Sequence, residues 1–173
     1  LIATFRPGAV SETERKEKLI LAIESGAQYV DVEIESDAVF KKDIRQGCLT
    51  HGRNLIISYH NYKTIPPREE LEKIIDRCFE EGADIAKVAC HVENEMEAAR
   101  ILSLYEKELP QNKQLVALGM GEKGRITRVA AVLLGAPFTF AAMGVGKETA
   151  PGQLDMQTLK EVLDRILFRG TML

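Results

Sequence analysis

The chain has 173 residues, 45% of them hydrophobic and 28% charged, with a formal net charge of −3. That is the size of one ordinary domain with enough apolar material for a sizeable core, which excludes an intrinsically disordered chain. The charges are mixed, as in Glu12 to Lys18, with no basic stripe, so neither nucleic acid nor an anionic membrane is an expected partner.

The elements follow one another as β-rich runs and helical patterns. Leu1–Phe5 is the first apolar run, and a helix follows that opens on a Ser11-x-x-Glu14 capping box and closes at Gly26. Tyr29–Glu33 and Leu55–Tyr59 are the next two β-rich runs. The clearest helix starts at Pro66-Pro67, carries Leu71, Ile74, Ile75, Cys78 and Phe79 at helical spacing, and stops at Gly82. Ile85–Ala89, Leu115–Met120 and Phe138–Met143 are the remaining β-rich runs, and the last helix is capped by Asp155 and places Leu159, Val162, Leu163 and Ile166 on one face.

Strand–helix alternation at roughly 30 residues per unit predicts parallel strands joined by right-handed crossovers, in an open sheet or a closed (β/α)8 barrel. Residue parity favours the barrel. Thr4 and Arg6, Asp31 and Glu33, Ser58 and His60, and Lys87 share one side of their strands, while Phe5, Val32, Tyr59 and Val88 take the other. Polar groups from four strands would then converge on one interior, as a barrel permits toward its C-terminal mouth and an open sheet does not. A barrel needs eight strands and six are visible, so the expectation is one barrel domain over residues 1–173 whose two N-terminal βα units are missing. The opening on Leu1 without a methionine or leader prompts the same expectation.

Cys48, Cys78 and Cys90 lie far apart with no C-x-x-C pair, which signals neither a disulfide framework nor a zinc site and fits a reducing cytoplasm. No apolar run approaches the roughly 18 residues of a membrane span.

Lys87 lies inside the apolar run Ile85-Ala86-Lys87-Val88-Ala89. Desolvation disfavours an ammonium, so a lysine held there should present a free amine for attack on a carbonyl. The competing reading is a lysine turned outward between helices, or one neutralised by an inward carboxylate such as Glu33. His60 ends its strand where barrel enzymes keep proton-transfer groups, or else caps a loop backbone group. His51, in a turn, and His91, after a strand end, read as solvated or structural.

Met120-Gly121-x-x-Gly124-x-x-Thr127-Arg128 opens a helix after the fifth strand, and helix amides with an arginine can hold a carboxylate or phosphate. Gly119-x-Gly121-x-x-Gly124 also matches a dinucleotide fingerprint, but the next β-run ends without the acidic residue a ribose needs, and tight-turn geometry explains the glycines. Gly144 to Thr149 lacks phosphate-loop spacing and is expected to be a lid or entrance loop, followed by the turn Ala150-Pro151-Gly152-Gln153.

Taken in order, Thr4-Phe5-Arg6, Ser58-Tyr59-His60-Asn61-Tyr62, Gly82 through Ala89, Met120-Gly121 through Arg128, and Ala150-Pro151-Gly152-Gln153 resemble the type I 3-dehydroquinate dehydratase family. The resemblance implies a (β/α)8 barrel, usually a homodimer, that dehydrates 3-dehydroquinate to 3-dehydroshikimate in the shikimate pathway without metal or organic cofactor. It implies that Lys87 forms the imine with the substrate ketone and that His60 is the acid–base. Arg128 and Gln153 match the residues that hold the substrate carboxylate and hydroxyls, Arg6 matches a further substrate-binding arginine, and Thr149 stands where the family usually has serine. Two features depart from the family. Its loop after the matched arginine carries a glutamate and two glycines, whereas here it reads Pro7-Gly8-Ala9-Val10, so the orientation of His60 is expected to fall to Glu33 or Asp31. Its Glu-Trp-Arg segment on an earlier strand does not occur here. The alternatives are another Schiff-base barrel of the aldolase or transaldolase kind, and a truncated, non-catalytic barrel fragment.

Overall fold

The structure is a computed structural model that describes residues 1–8 and 10–167. Its five strands, β1 (Ile2–Thr4), β2 (Tyr29–Glu33), β3 (Asn54–Asn61), β4 (Ile85–His91) and β5 (Gln114–Met120), form one parallel sheet in sequence order. Register pairs Thr4 with Asp31, and Glu33 with Ser58. In parallel strands paired residues point the same way, so the expected parity holds, with Thr4, Asp31, Glu33 and Ser58 on one side.

The chain divides into two compact units. The first comprises residues 1–60, 69–88 and 108–115. It contains α1 (Glu12–Glu24), α2 (Ala38–His51) and α3 (Arg68–Glu80) with β1, β2 and most of β3. Ser11 caps α1 by accepting from Glu14 N at 3.2 Å, as the S-x-x-E spacing predicts. Asp37 does the same for α2 from Val39 N and Phe40 N. Leu19 and Ile23 of α1, Ile44 and Cys48 of α2, and Leu71, Ile75 and Cys78 of α3 are buried with Val30, Val32, Leu55 and Ile57 of the strands. Asp84 Oδ2 accepts from Leu55 N at 2.9 Å and pairs with Arg45, which ties the start of β3 to the turn before β4.

The second unit comprises residues 61–68, 89–107 and 116–173, described to residue 167. It holds α4 (Glu95–Ser103), capped by Asn94, a short 3-10 turn at Leu104–Glu106, α5 (Arg125–Leu133) and α6 (Met156–Leu167). Tyr105 donates its hydroxyl to Ala117 O at 3.2 Å and accepts from Ala117 N at 2.8 Å, binding the 3-10 turn to β5. Thr127 Oγ1 accepts from Gly119 N and donates to Gly124 O, stitching the strand end to the start of α5.

Three expectations are corrected. Phe138–Met143 is not a strand; only Ala142 makes an isolated bridge, to Asp155, and its amide donates to Leu154 O. The β-forming residues are there, and the rings of Phe138 and Phe140 meet edge to face at 5.6 Å, but a strand requires a ladder along its length. His51 is the last residue of α2, its ring nitrogen 3.1 Å from Gly47 O, and not part of a turn. His91 closes β4 and does not follow it.

Cys48, Cys78 and Cys90 are buried free thiols that burial pushes up to about 11, 12 and 12. Among the described residues no helix is long and apolar enough to cross a membrane.

Candidate active site

β2 and β4 of the first unit hold the central pair. Asp31 and Lys87 are both buried, and Lys87 Nζ donates to Asp31 Oδ2 at 2.6 Å. Lys87 points to the polar side of the sheet and meets an inward carboxylate there. The partner is Asp31 and not Glu33, which lies one layer higher, opposite Ser58.

His60, half-buried at the end of β3, lies within reach of the same charges. Burial first, then the positive charges of Lys87 and Arg6, push it down from 6.5 to about 3, with Asp31 acting in the opposite sense. The imidazole is therefore neutral near pH 7 and able to accept a proton. Arg6 Nη2 is 3.2 Å from His60 Nε2, and Arg6 Nη1 is 4.0 Å from Glu33 Oε1.

Glu33 thus reaches His60 through Arg6. The other oxygen of Glu33 receives Arg15 Nη2 at 2.5 Å. Burial raises the Glu33 carboxyl, opposed by its own backbone amide, Arg15 and Arg6, while Asp31 adds to the rise. Arg15 is fully buried on α1 and was not singled out from sequence. A signal for it exists, because Arg15, Leu19 and Ile23 form one buried stripe at a spacing of four, and a charge on such a stripe demands a partner. Of the loop after Arg6, Ala9 lies outside the described residues.

The second unit holds the remaining predicted residues. Arg128, buried in α5, donates to Phe140 O at 3.5 Å and Pro151 O at 3.3 Å, while its Nε has no hydrogen-bond partner. Desolvation pushes the guanidinium down to about 10. No carboxylate pairs with it among the described residues, so it is fitted to receive an anion. Gln153 is buried and bonded to Thr149 in both senses: its Oε1 accepts from Thr149 N at 2.8 Å, and its Nε2 lies 3.2 Å from Thr149 Oγ1. The turn carrying Gln153 is held by Gly121 N donating to Pro151 O at 3.1 Å. Gly152 (φ +78°) leaves no room for a side chain there, because a Cβ would stand 2.1 Å from Gly121 O.

Known proteins share this arrangement of sequence and fold. The family model of type I 3-dehydroquinase matches residues 1–168. A 3-dehydroquinate dehydratase of Methanothermobacter thermautotrophicus is 40% identical over 157 residues, covering 91% of this chain and 66% of the relative. The chain thus spans about two thirds of the length of that curated relative. The crystal structure of 3-dehydroquinate dehydratase from Geobacillus kaustophilus superposes with a TM-score of 0.87 at 27% identity, covering 98% of this chain and 68% of that one. The enzyme from Aquifex aeolicus gives 0.80 at 27% identity, covering 98% and 74%. With its matched region running through nearly every described element, the chain belongs to the type I 3-dehydroquinase family.

Proposed function

We propose that this chain carries the Schiff-base site of a 3-dehydroquinate dehydratase, with Lys87 as nucleophile and His60 as acid–base. The observation that carries the reading is a buried Lys87–Asp31 pair within the field of an imidazole kept neutral at pH 7. Membership of the family supplies the substrate.

In the proposed reaction Lys87 passes its proton to His60 and attacks the substrate ketone, and the carbinolamine takes that proton back on its hydroxyl and loses water to a protonated imine. The imine draws electrons from the adjacent C–H bond, His60 removes that proton, and the enamine expels the hydroxyl as water once it is protonated. Hydrolysis of the imine then frees 3-dehydroshikimate and the amine. Arg128 is suited to the substrate carboxylate, and Thr149 and Gln153 to its hydroxyls, since Arg128 donates to Pro151 O of the turn that carries Gln153, and Thr149 and Gln153 are hydrogen-bonded to each other. Arg6 would bind substrate beside His60.

The proposal extends to architecture. The parallel sheet is part of a (β/α)8 barrel whose remaining strands lie outside the five described, a reading supported by the 66% to 74% of relatives' length that the chain covers. On the same reading the assembled enzyme is a cytoplasmic homodimer, to be checked by light scattering.

The test is borohydride reduction with 3-dehydroquinate followed by mass spectrometry. The expected result is one reduced adduct on the peptide containing Lys87, lost in Lys87→Ala. Trapping of a phosphorylated sugar in place of dehydroquinate would transfer the site to aldolase chemistry, and no adduct with either would end the Schiff-base reading.

A further inference from the structure

We infer that Arg15 is a positioning residue for the reaction, acting through Glu33 and Phe5 to present Arg6 to His60. This rests on the dehydratase reading of Lys87 and His60.

The guanidinium of Arg15 is fully buried and spends its donors on four different groups. Nε donates to Phe5 O at 2.6 Å, Nη1 to Glu12 and Ser36 at 3.1 Å each, and Nη2 to Glu33 at 2.5 Å, with the plane stacked 4.4 Å from the centre of the Phe40 ring. Two of these contacts converge on Arg6. Phe5 O belongs to the peptide link directly before Arg6, so that contact holds the backbone from which Arg6 departs. Glu33 holds the other end, because its second oxygen faces Arg6 Nη1 at 4.0 Å while Arg6 Nη2 lies 3.2 Å from His60 Nε2.

Stability alone is a weak reason for a buried guanidinium, since the desolvation of two buried ions offsets much of their attraction. A planar fork that fixes two separate anchors of one side chain has a different use, that of specifying geometry. The Arg6 side chain is about half exposed, and Glu33 faces its guanidinium. Without Arg15, Glu33 would be a buried carboxyl with its nearest cation gone. Desolvation would then favour its protonation, and Arg6 would lose the charge that faces it.

The sign of the consequence follows from the charged groups that act on His60, which among the described residues include Lys87, Arg6 and Asp31. Arg6 at 3.2 Å disfavours imidazolium, so an Arg6 that swings away lets His60 take up a proton at higher pH. In Arg15→Met the acid limb of the kcat/KM profile should move to higher pH and kcat should fall about 10- to 100-fold, the scale of a misplaced catalytic group. Arg15→Lys keeps one charge near Glu33 but cannot reach Phe5 O as well, and should fall between Met and wild type. Arg6→Gln should move the acid limb in the same direction.

The experiment measures kcat, KM and the pH profile of the full-length protein and these variants, with borohydride trapping beside each. In the substrate-free protein the His60 ring is titrated by NMR. If Arg15→Met does not fold, Arg15→Met with Glu33→Gln removes the pair without stranding a buried charge, and the same shift is expected. A folded variant with the acid limb and the His60 titration where wild type has them overturns the inference. Failure of wild type to form the Lys87 adduct sinks the dehydratase reading instead, and the NMR shift still decides the role of Arg15.

Discussion

Asp31→Asn perturbs the buried pair at the heart of the proposed site. Lys87 Nζ and Asp31 Oδ2 are 2.6 Å apart. At an effective dielectric of about 20, Coulomb attraction at that separation is about 6 kcal/mol. Burying each ion costs several kcal/mol, so the pair as a whole is near break-even. Asparagine removes the attraction and leaves the cost of burying the ammonium, and the expected loss at pH 7 is about 3–5 kcal/mol. The buried lysine can escape by shedding its proton, so in the variant its folded state binds a proton less readily than the unfolded chain, where lysine titrates near 10.4. The unfolded state then binds more protons and stability rises with pH, so the deficit is largest at and below neutrality and shrinks as pH approaches about 10. The assay is urea unfolding from pH 6 to 10, reading the midpoint at constant slope. Asp31→Asn combined with Lys87→Met should regain most of the loss. A single variant with wild-type stability, or a deficit that does not shrink toward alkaline pH, refutes the reasoning.

Arg128→Met should raise KM for 3-dehydroquinate about 10- to 150-fold, the value of a charge-assisted hydrogen bond of about 1.5–3 kcal/mol, with a smaller change in kcat; steady-state kinetics checks it. Gly124→Ala should cost more than about 2 kcal/mol in urea unfolding, because the new Cβ would stand 2.4 Å from Gly119 C and 2.7 Å from Met120 O, both backbone atoms that cannot move independently.

Strand parity is local, since successive side chains alternate sides whatever the strand pairs with, and so Asp31 with Glu33 on β2, and Ser58 with His60 on β3, could each be assigned to one side of their own strand from spacing alone. Helix limits at Ser11 and Gly82 are local for the same reason, a cap and a stop written in single residues. Which of the two carboxylates on β2 meets Lys87 depends on inter-strand register. Asp31 and Glu33 have the same parity and the same charge, and only the stagger that pairs Thr4 with Asp31 and Glu33 with Ser58 separates them. The segment Phe138–Met143 shows the same limit from the other side, for its residues suit a strand while a ladder depends on a neighbour placed by the rest of the chain. Arg15 completes the pattern. Its position on the buried stripe of α1 could be read from the sequence, but Phe5, Ser36, Glu33 and Phe40 become its neighbours only when α1 packs beside β1 and β2, because donors and acceptors far apart along the chain meet only through tertiary packing.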